Sequence, residues 1–412
     1  MSPVNDPGPG RGWGASRRGR WGKRERWSAL DEGSVWPSPS QVLLLNAGLS
    51  RGREAVEAWE QWLALADLDA VDPSSSRILP LVYRNLAREA VGVASMDTLK
   101  RHYMVAWGKN QRLFRLVSQT VGHLSAGGIE TLLLKGAALV PLYYGDDGSR
   151  GMGDFDILVP EARFHDACSL LREVGWRPLH FDPEYFDTRF EHAIAFLDDA
   201  GNSIDLHCHV LIESCERGAD DAFWEASKPL EVRGTQTRTL CHTDHFLQAC
   251  AHGLTWVKFP PVRWVADAMT MLRKDGNSIE WERLVEQAAE RGVAFKILAT
   301  VDYLRSAFGA DIPLDVGRSL RQARATRADR RAYETWTQNK RGRPASLVRY
   351  HWSMYRRGVR SEGALERVTT IPRYLRFWAQ TDRLWVMPAT LAVKAWRVVG
   401  HRLGFYQYWD GT

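Results

Sequence analysis

The chain has 412 residues, 44% hydrophobic and 25% charged, a composition that supports an ample folded core of two or three domains and excludes a low-complexity polymer. Its net charge of +6 is a weak field over that length, so where the charges lie matters more than their sum. Five cysteines without a repeating spacing argue against a disulfide framework and for a reducing, cytoplasmic setting. No run reaches the ~18 apolar residues of a membrane span, the nearest, 384–400, being broken by Lys394 and Arg397.

Residues 1–37 are rich in Gly, Pro and Arg, lack hydrophobic periodicity, and read as a disordered basic arm without the apolar stretch of a signal peptide. From 38 to 125 the pattern is helical. A Ser cap opens "SPSQVLLLNAGL", "REAVEAWEQWLALADL" repeats apolar residues at three and four, and a long amphipathic segment ends at Gly127 and Gly128. Residues 126–235 then alternate. "IETLLLKG" reads as a strand reaching a glycine turn, "AALVPLYY" as a short helix, "FDILV" as a strand, "EARFHDACSLLREVGW" as a helix, and "HAIAFLD" with "SIDLHCHV" as a hairpin about Asp199 to Asn202. Helices return over 236–315, and 316–412 is a basic, Trp-rich, helix-leaning region: from Arg321 onward there are nineteen Lys and Arg against six acids, which leaves the middle of the chain net acidic. No internal repeat is present.

The chemistry concentrates between residues 132 and 210. Side chains alternate across a strand, so Asp154 and Asp156 share one face while Phe155, Ile157 and Val159 point to a core. In "SIDLHCHV" the apolar face is Ile204, Leu206, Cys208 and Val210, and the polar face carries Asp205, His207 and His209. Set beside the first strand, Asp205 completes three carboxylates. Such a group repels itself unless a cation joins it, and hard oxygen donors suit Mg²⁺ or Mn²⁺. Lys135 and Gly136 close the upstream strand, where backbone amides can approach a phosphate and a lysine can balance its charge. Arg150, just before the acid pair, is a second phosphate candidate, with an exposed ion pair to Asp146 or Asp147 as the alternative.

Together "LLKGAAL", Arg150 with "GMGDFDILV", "LLREVGW", "IDLHCHV", an "AHG" helix and "VRWVADAMTML" resemble the polymerase-beta-like nucleotidyltransferase superfamily, more closely its bacterial branch of uncharacterised nucleotidyltransferase family proteins. The resemblance covers roughly Leu116 to Pro313. It implies an α+β fold, a small mixed β-sheet core with flanking helices embedded in a mostly helical chain, with Asp154 and Asp156 as the metal pair and Asp205 as the third carboxylate. The function expected is transfer of a nucleoside monophosphate from an NTP, ATP foremost, to an acceptor hydroxyl with release of pyrophosphate. Lys135, Gly136, Ala137 and Arg150 would position the phosphates, and the segment around Arg263, Trp264 and Asp267 would build the acceptor side. A small-molecule, peptide or protein acceptor is favoured over nucleic acid. Lys135-Gly136-Ala137 departs from the superfamily's usual Gly-Gly or Gly-Ser turn, which motivates the alternative of a non-catalytic accessory protein that keeps the fold and binds a nucleotide or a partner.

Two further groups have competing readings. "CHTDH" and "CAH" lack the paired knuckle spacing of zinc sites and read as helix-face histidines, while His207 is expected beside the metal, orienting Asp205 or touching substrate. Trp336, Trp352, Trp378, Trp385, Trp396 and Trp409 read first as core of a helical subdomain, then as a partner or membrane-surface contact, and third as a nucleic-acid surface.

Overall fold

A computed structural model describes residues 35–88, 95–254, 261–323, 326–337, 344–360 and 362–381. The first helix, Pro39–Leu49, starts where the Ser38 hydroxyl accepts the Gln41 backbone N–H and the Gln41 side chain accepts the Ser38 N–H, a reciprocal capping box. Helix Gly52–Leu63 follows and stacks Trp59 on Trp62, both fully buried. Ordered packing begins before the expected arm ends: Val35 is buried, and Trp36 lies against Trp264 and Tyr303. Residues 1–34 of that arm lie outside the described residues. The long helix Met96–Ala126 stops at Gly127, and Gly128 takes a left-handed φ of 68° that a side chain would resist.

The seven strands are β1 (Leu132–Leu134), β2 (Phe155–Leu158), β3 (Arg177–Pro178), β4 (Ala193–Leu197), β5 (Ser203–His207), β6 (Lys228–Val232) and β7 (Thr235–Thr239), forming one mixed sheet in the order β3-β4-β5-β2-β1-β7-β6. The β4–β5 hairpin falls where the sequence places it. Asp198 accepts the backbone N–H groups of Ala200 and Asn202, and Gly201 supplies φ of 75°. A second hairpin, β6–β7, is not in the sequence reading. Its two-residue turn, Arg233-Gly234, holds both residues at positive φ, 51° and 80°, the twist that tight hairpins require.

Alternation along the central strands sends side chains into two different cores. Leu132, Leu134 and Leu158 join a cluster with Leu44, Trp59, Leu99, Phe246 and Val265, so one face lies under the amino-terminal helices and helices His242–Gly253 and Arg263–Asp275. Leu133, Phe155, Ile157, Ile204 and Leu206 join Phe114, Val121, Phe164 and Leu171 beneath helices Met96–Ala126 and Phe164–Glu173. Both faces are therefore covered, and burying these strands on two sides accounts for their near-continuous apolar character. The architecture is the small mixed sheet with flanking helices in a mostly helical chain that the resemblance implies.

Helices Pro344–Gly358 and Ile371–Ala379 seal the end of the second core with Tyr355, Tyr374 and Phe377 packed about Phe190. Of the tryptophans described here, Trp378 is half-buried on His351 and packs against this core, whereas Trp352 is 56% exposed. The side chain of Trp336, and Trp385, Trp396 and Trp409, lie outside what is described. All five cysteines are buried and unpaired. Among the described residues no helix is long and apolar enough to cross a membrane; the 384–400 run lies outside them.

Candidate active site

β2 and β5 run parallel in a register that sets Asp156 directly beside Asp205 and Leu158 beside His207, while antiparallel β1 sets Leu134 beside Asp156. The two carboxylates and His207 thus share the face that looks toward the amino-terminal helices and the 242–275 helices. One ligand atom from each of Asp156, Asp205 and His207 lies within 4.8 Å of the other two. Asp154 occupies the bend just before β2 and stands outside that group, close enough to feel its charge. Among the described residues this is the group of His, Cys, Asp and Glu side chains with the spacing for a metal, and the "CHTDH" and "CAH" residues are not in it.

Asp156, only 3% exposed, is the hub. Its Oδ1 accepts the Lys135 ammonium at 2.6 Å and lies 3.1 Å from His207 Nε2. The other ring nitrogen of His207 is 3.0 Å from the His209 carbonyl. His207 therefore stands against Asp156, with an Asp205 ligand atom within 4.8 Å as well. Burial would raise the Asp156 carboxyl, but the Lys135 ammonium outweighs it and holds the group well below the usual range. Asp205 goes the other way: burial, then the neighbouring Asp156 charge, push it up to about 7 against the pull of Lys135. Asp154 is also raised, by burial and then by Asp156. Burial alone would lower the Lys135 ammonium, yet Asp156 and then Asp205 leave it raised. Two adjacent buried carboxylates served by one ammonium are short of positive charge, so the chemistry of the donor set fits a divalent cation.

Lys135 reaches Asp156 because the chain leaves β1 abruptly. It has a φ of 43°, left-handed for a side chain that disfavours it, and enters helix Lys135–Leu139, which continues as a π-helical turn over Val140–Tyr144. Gly136 has a packing reason to be glycine: a Cβ there would come within 2.6 Å of Arg150 Nη1 and 2.9 Å of Met152 Cγ. Gly136 and Ala137 are both buried.

Arg150 is not the exposed partner of Asp146 or Asp147. It is 4% exposed, and its Nε and Nη2 donate to the two carboxylate oxygens of Asp267 at 2.7 and 2.9 Å, while Tyr144 donates to the same Asp267 at 2.5 Å. Asp146 and Asp147 are instead paired with Arg84 and Arg233. Asn110 fixes the loop, donating to the carbonyls of Asp147 and Arg150 and accepting the Met152 N–H. Of the residues expected on the acceptor side, Asp267 is tied to Arg150 and Trp264 is core, leaving Arg263, which donates to the Gly151 carbonyl at 3.0 Å. Burial, then Arg150 and Arg77, lower Arg263 to about 10.

Several residues near the site escaped the sequence reading. Lys109 and Arg77 both act on the Asp154 carboxyl or are acted on by it, so the approach to Asp154 is lined with positive charge. Their signal was hidden in an ordinary solvated-looking helix face and a polar turn. Behind Lys135 a cavity of about 30 Å³ is bounded by His192, Glu213 and Gln248, the last 3% exposed with an unpartnered Nε2. Only spatial closure brings these together.

Among solved structures, an antigenic nucleotidyltransferase-like protein from Paracoccidioides brasiliensis is similar at 13% identity and a TM-score of 0.32, over 50% of this chain and 96% of that one. No curated protein matches. The model of the family described as uncharacterised nucleotidyltransferase matches residues 61–309, more than half of the chain, and reaches well upstream of Leu116 into the amino-terminal helices. The chain belongs to this uncharacterised nucleotidyltransferase family.

Proposed function

We propose that the protein is a metal-dependent nucleotidyltransferase that moves a nucleoside monophosphate from an NTP, ATP foremost, to an acceptor hydroxyl and releases pyrophosphate. The observation that carries this reading is the in-register placement of Asp156 beside Asp205 on adjacent parallel strands, with the Lys135 ammonium against them. Asp156 and Asp205 would hold Mg²⁺ or Mn²⁺, with Asp154 flanking them. A divalent ion there supplies neutralisation of the triphosphate charge. Asp205, in register beside Asp156, would also be the group placed to help take the acceptor hydroxyl's proton. Lys109, Arg77 and Arg263 bring positive charge to the Asp154 side, where an anionic triphosphate would be drawn. Arg150 acts at one remove by fastening the loop that carries Asp154 to the 263–275 helix. The five buried, unpaired cysteines support a cytoplasmic setting. Nucleotide transfer, or slow NTP hydrolysis, assayed with Mg²⁺ and with Mn²⁺ tests the proposal. Asp156→Ala and Asp205→Ala should each lower turnover by on the order of 10²–10⁴-fold, and unchanged turnover in both refutes it.

A second reading, an accessory protein that binds nucleotide or a partner without turnover, is favoured by one observation. The turn after β1 is packed under Arg150 and Met152, and Lys135 is already engaged with Asp156. Calorimetry showing metal-dependent NTP binding, without turnover across many acceptors, would select it.

A further inference from the structure

The geometry points to His207 as a direct ligand, through Nε2, of the divalent ion held by Asp156 and Asp205, making a one-nitrogen, two-carboxylate site that selects Mn²⁺ or a similar transition-metal dication over Mg²⁺. The inference rests on the carboxylate-centre reading above and adds to it both a ligand and a metal preference.

His207 lies two residues beyond Asp205 on β5, so the strand turns both side chains to one face, and the imidazole is fully buried there. Its Nδ1 is 3.0 Å from the His209 carbonyl oxygen. A carbonyl oxygen can only accept, so Nδ1 carries the hydrogen, and a neutral ring then directs the bare lone pair of Nε2 at the carboxylates. At 3.1 Å from Asp156 Oδ1 that lone pair faces another acceptor. Such an arrangement repels unless a cation stands between the two.

A backbone carbonyl that receives one ring N–H while the other nitrogen faces a donor cluster is the arrangement that fixes the tautomer and direction of metal-bound histidines. The His192 ring, edge-on to His207 with centroids 5.1 Å apart, limits rotation further. Imidazole nitrogen raises affinity for transition metals, whereas Mg²⁺ takes oxygen donors and keeps its waters, so exchanging one oxygen for this nitrogen shifts preference away from Mg²⁺.

Pulsed electron paramagnetic resonance on Mn²⁺ bound to the full-length protein tests this directly. The expected spectrum has ¹⁴N modulation from one imidazole, converts to the ¹⁵N pattern when the protein is made with ¹⁵N-histidine, and loses the modulation in His207→Gln while Mn²⁺ stays bound. The isotope experiment uses unaltered protein, so it holds even if the variant does not fold. Mn²⁺ that binds and is lost in Asp205→Asn, yet shows no nitrogen modulation in the unaltered protein, overturns His207 as a ligand and leaves the carboxylate centre standing. Nitrogen modulation that persists in His207→Gln overturns the assignment to this residue. Mg²⁺ that displaces Mn²⁺ at equal concentration overturns the selectivity. Failure of the unaltered protein to bind Mn²⁺ at all removes the carboxylate centre, and this inference with it.

Discussion

Lys135 carries two burdens at once, a left-handed backbone and the neutralisation of a buried acid. Lys135→Met keeps the stem but strips the charge, leaving Asp156 as a buried carboxylate without its closest cation. A loss of about 3 kcal/mol is expected, read as a lower denaturation midpoint in urea. Asp205 has a pH signature of opposite kind. Its carboxyl sits at about 7 in the folded chain against an ordinary value near ~4 when unfolded, so between those limits the folded state binds the extra proton. Stability contributed by this group is present below the ordinary value and is lost as pH rises toward 7, by at most ~1.4 kcal/mol per unit. Denaturation at pH 5 and pH 8 in chelator should show the fall, Asp205→Asn should flatten it, and added Mn²⁺ should restore stability at the higher pH by binding the ionised form.

Between elements, the Arg150–Asp267 fork fastens the loop before β2 to helix Arg263–Asp275. Arg150→Ala would leave Asp267 charged and buried without its fork, with the Tyr144 hydroxyl still donating to it; a cost of about 3–5 kcal/mol is expected in chemical denaturation. Arg150→Lys should recover only part of it, because an ammonium cannot make both bonds of the fork. A purely phosphate-binding arginine would instead change nucleotide affinity and leave stability intact. The same pair shows what a single sequence can and cannot disclose. Asp156 beside Asp205 was legible because period-two alternation is local and one register suffices to join the strands. Arg150 and Asp267 are 117 positions apart, and the nearer Asp146 and Asp147 gave the arginine a more economical partner on paper. β1 proved shorter than the apolar run suggests because Lys135 bends out of it. The β6–β7 turn was readable in Arg233-Gly234, but its flanking strands are polar enough to pass for loop.

At the scale of the molecule, the sheet does not own either of its cores. Leu132, Leu134 and Leu158 are buried by residues from helices upstream at Leu44 and Trp59 and downstream at Val265 and Ile297. A fragment of residues 126–235 would expose that face entirely and is expected to remain unfolded, with poorly dispersed amide resonances, whereas a fragment retaining residues 35–323 restores the cover. The amino-terminal reach of the family match, to residue 61, agrees with helices and sheet forming one packed unit. The second core has a similar debt to the carboxy-terminal side. Phe377 stacks on Phe181, the Gln380 side chain accepts the Asp182 N–H, and Glu362 accepts Arg189, so helices near the end of the chain grip the segment 181–190.

That grip has a mechanical consequence. The gripped segment runs straight into His192, whose ring abuts His207, so whatever pries the last helices loose also loosens the ring beside the carboxylate pair. Deuterium uptake across 181–192 should climb when the chain is cut after residue 343.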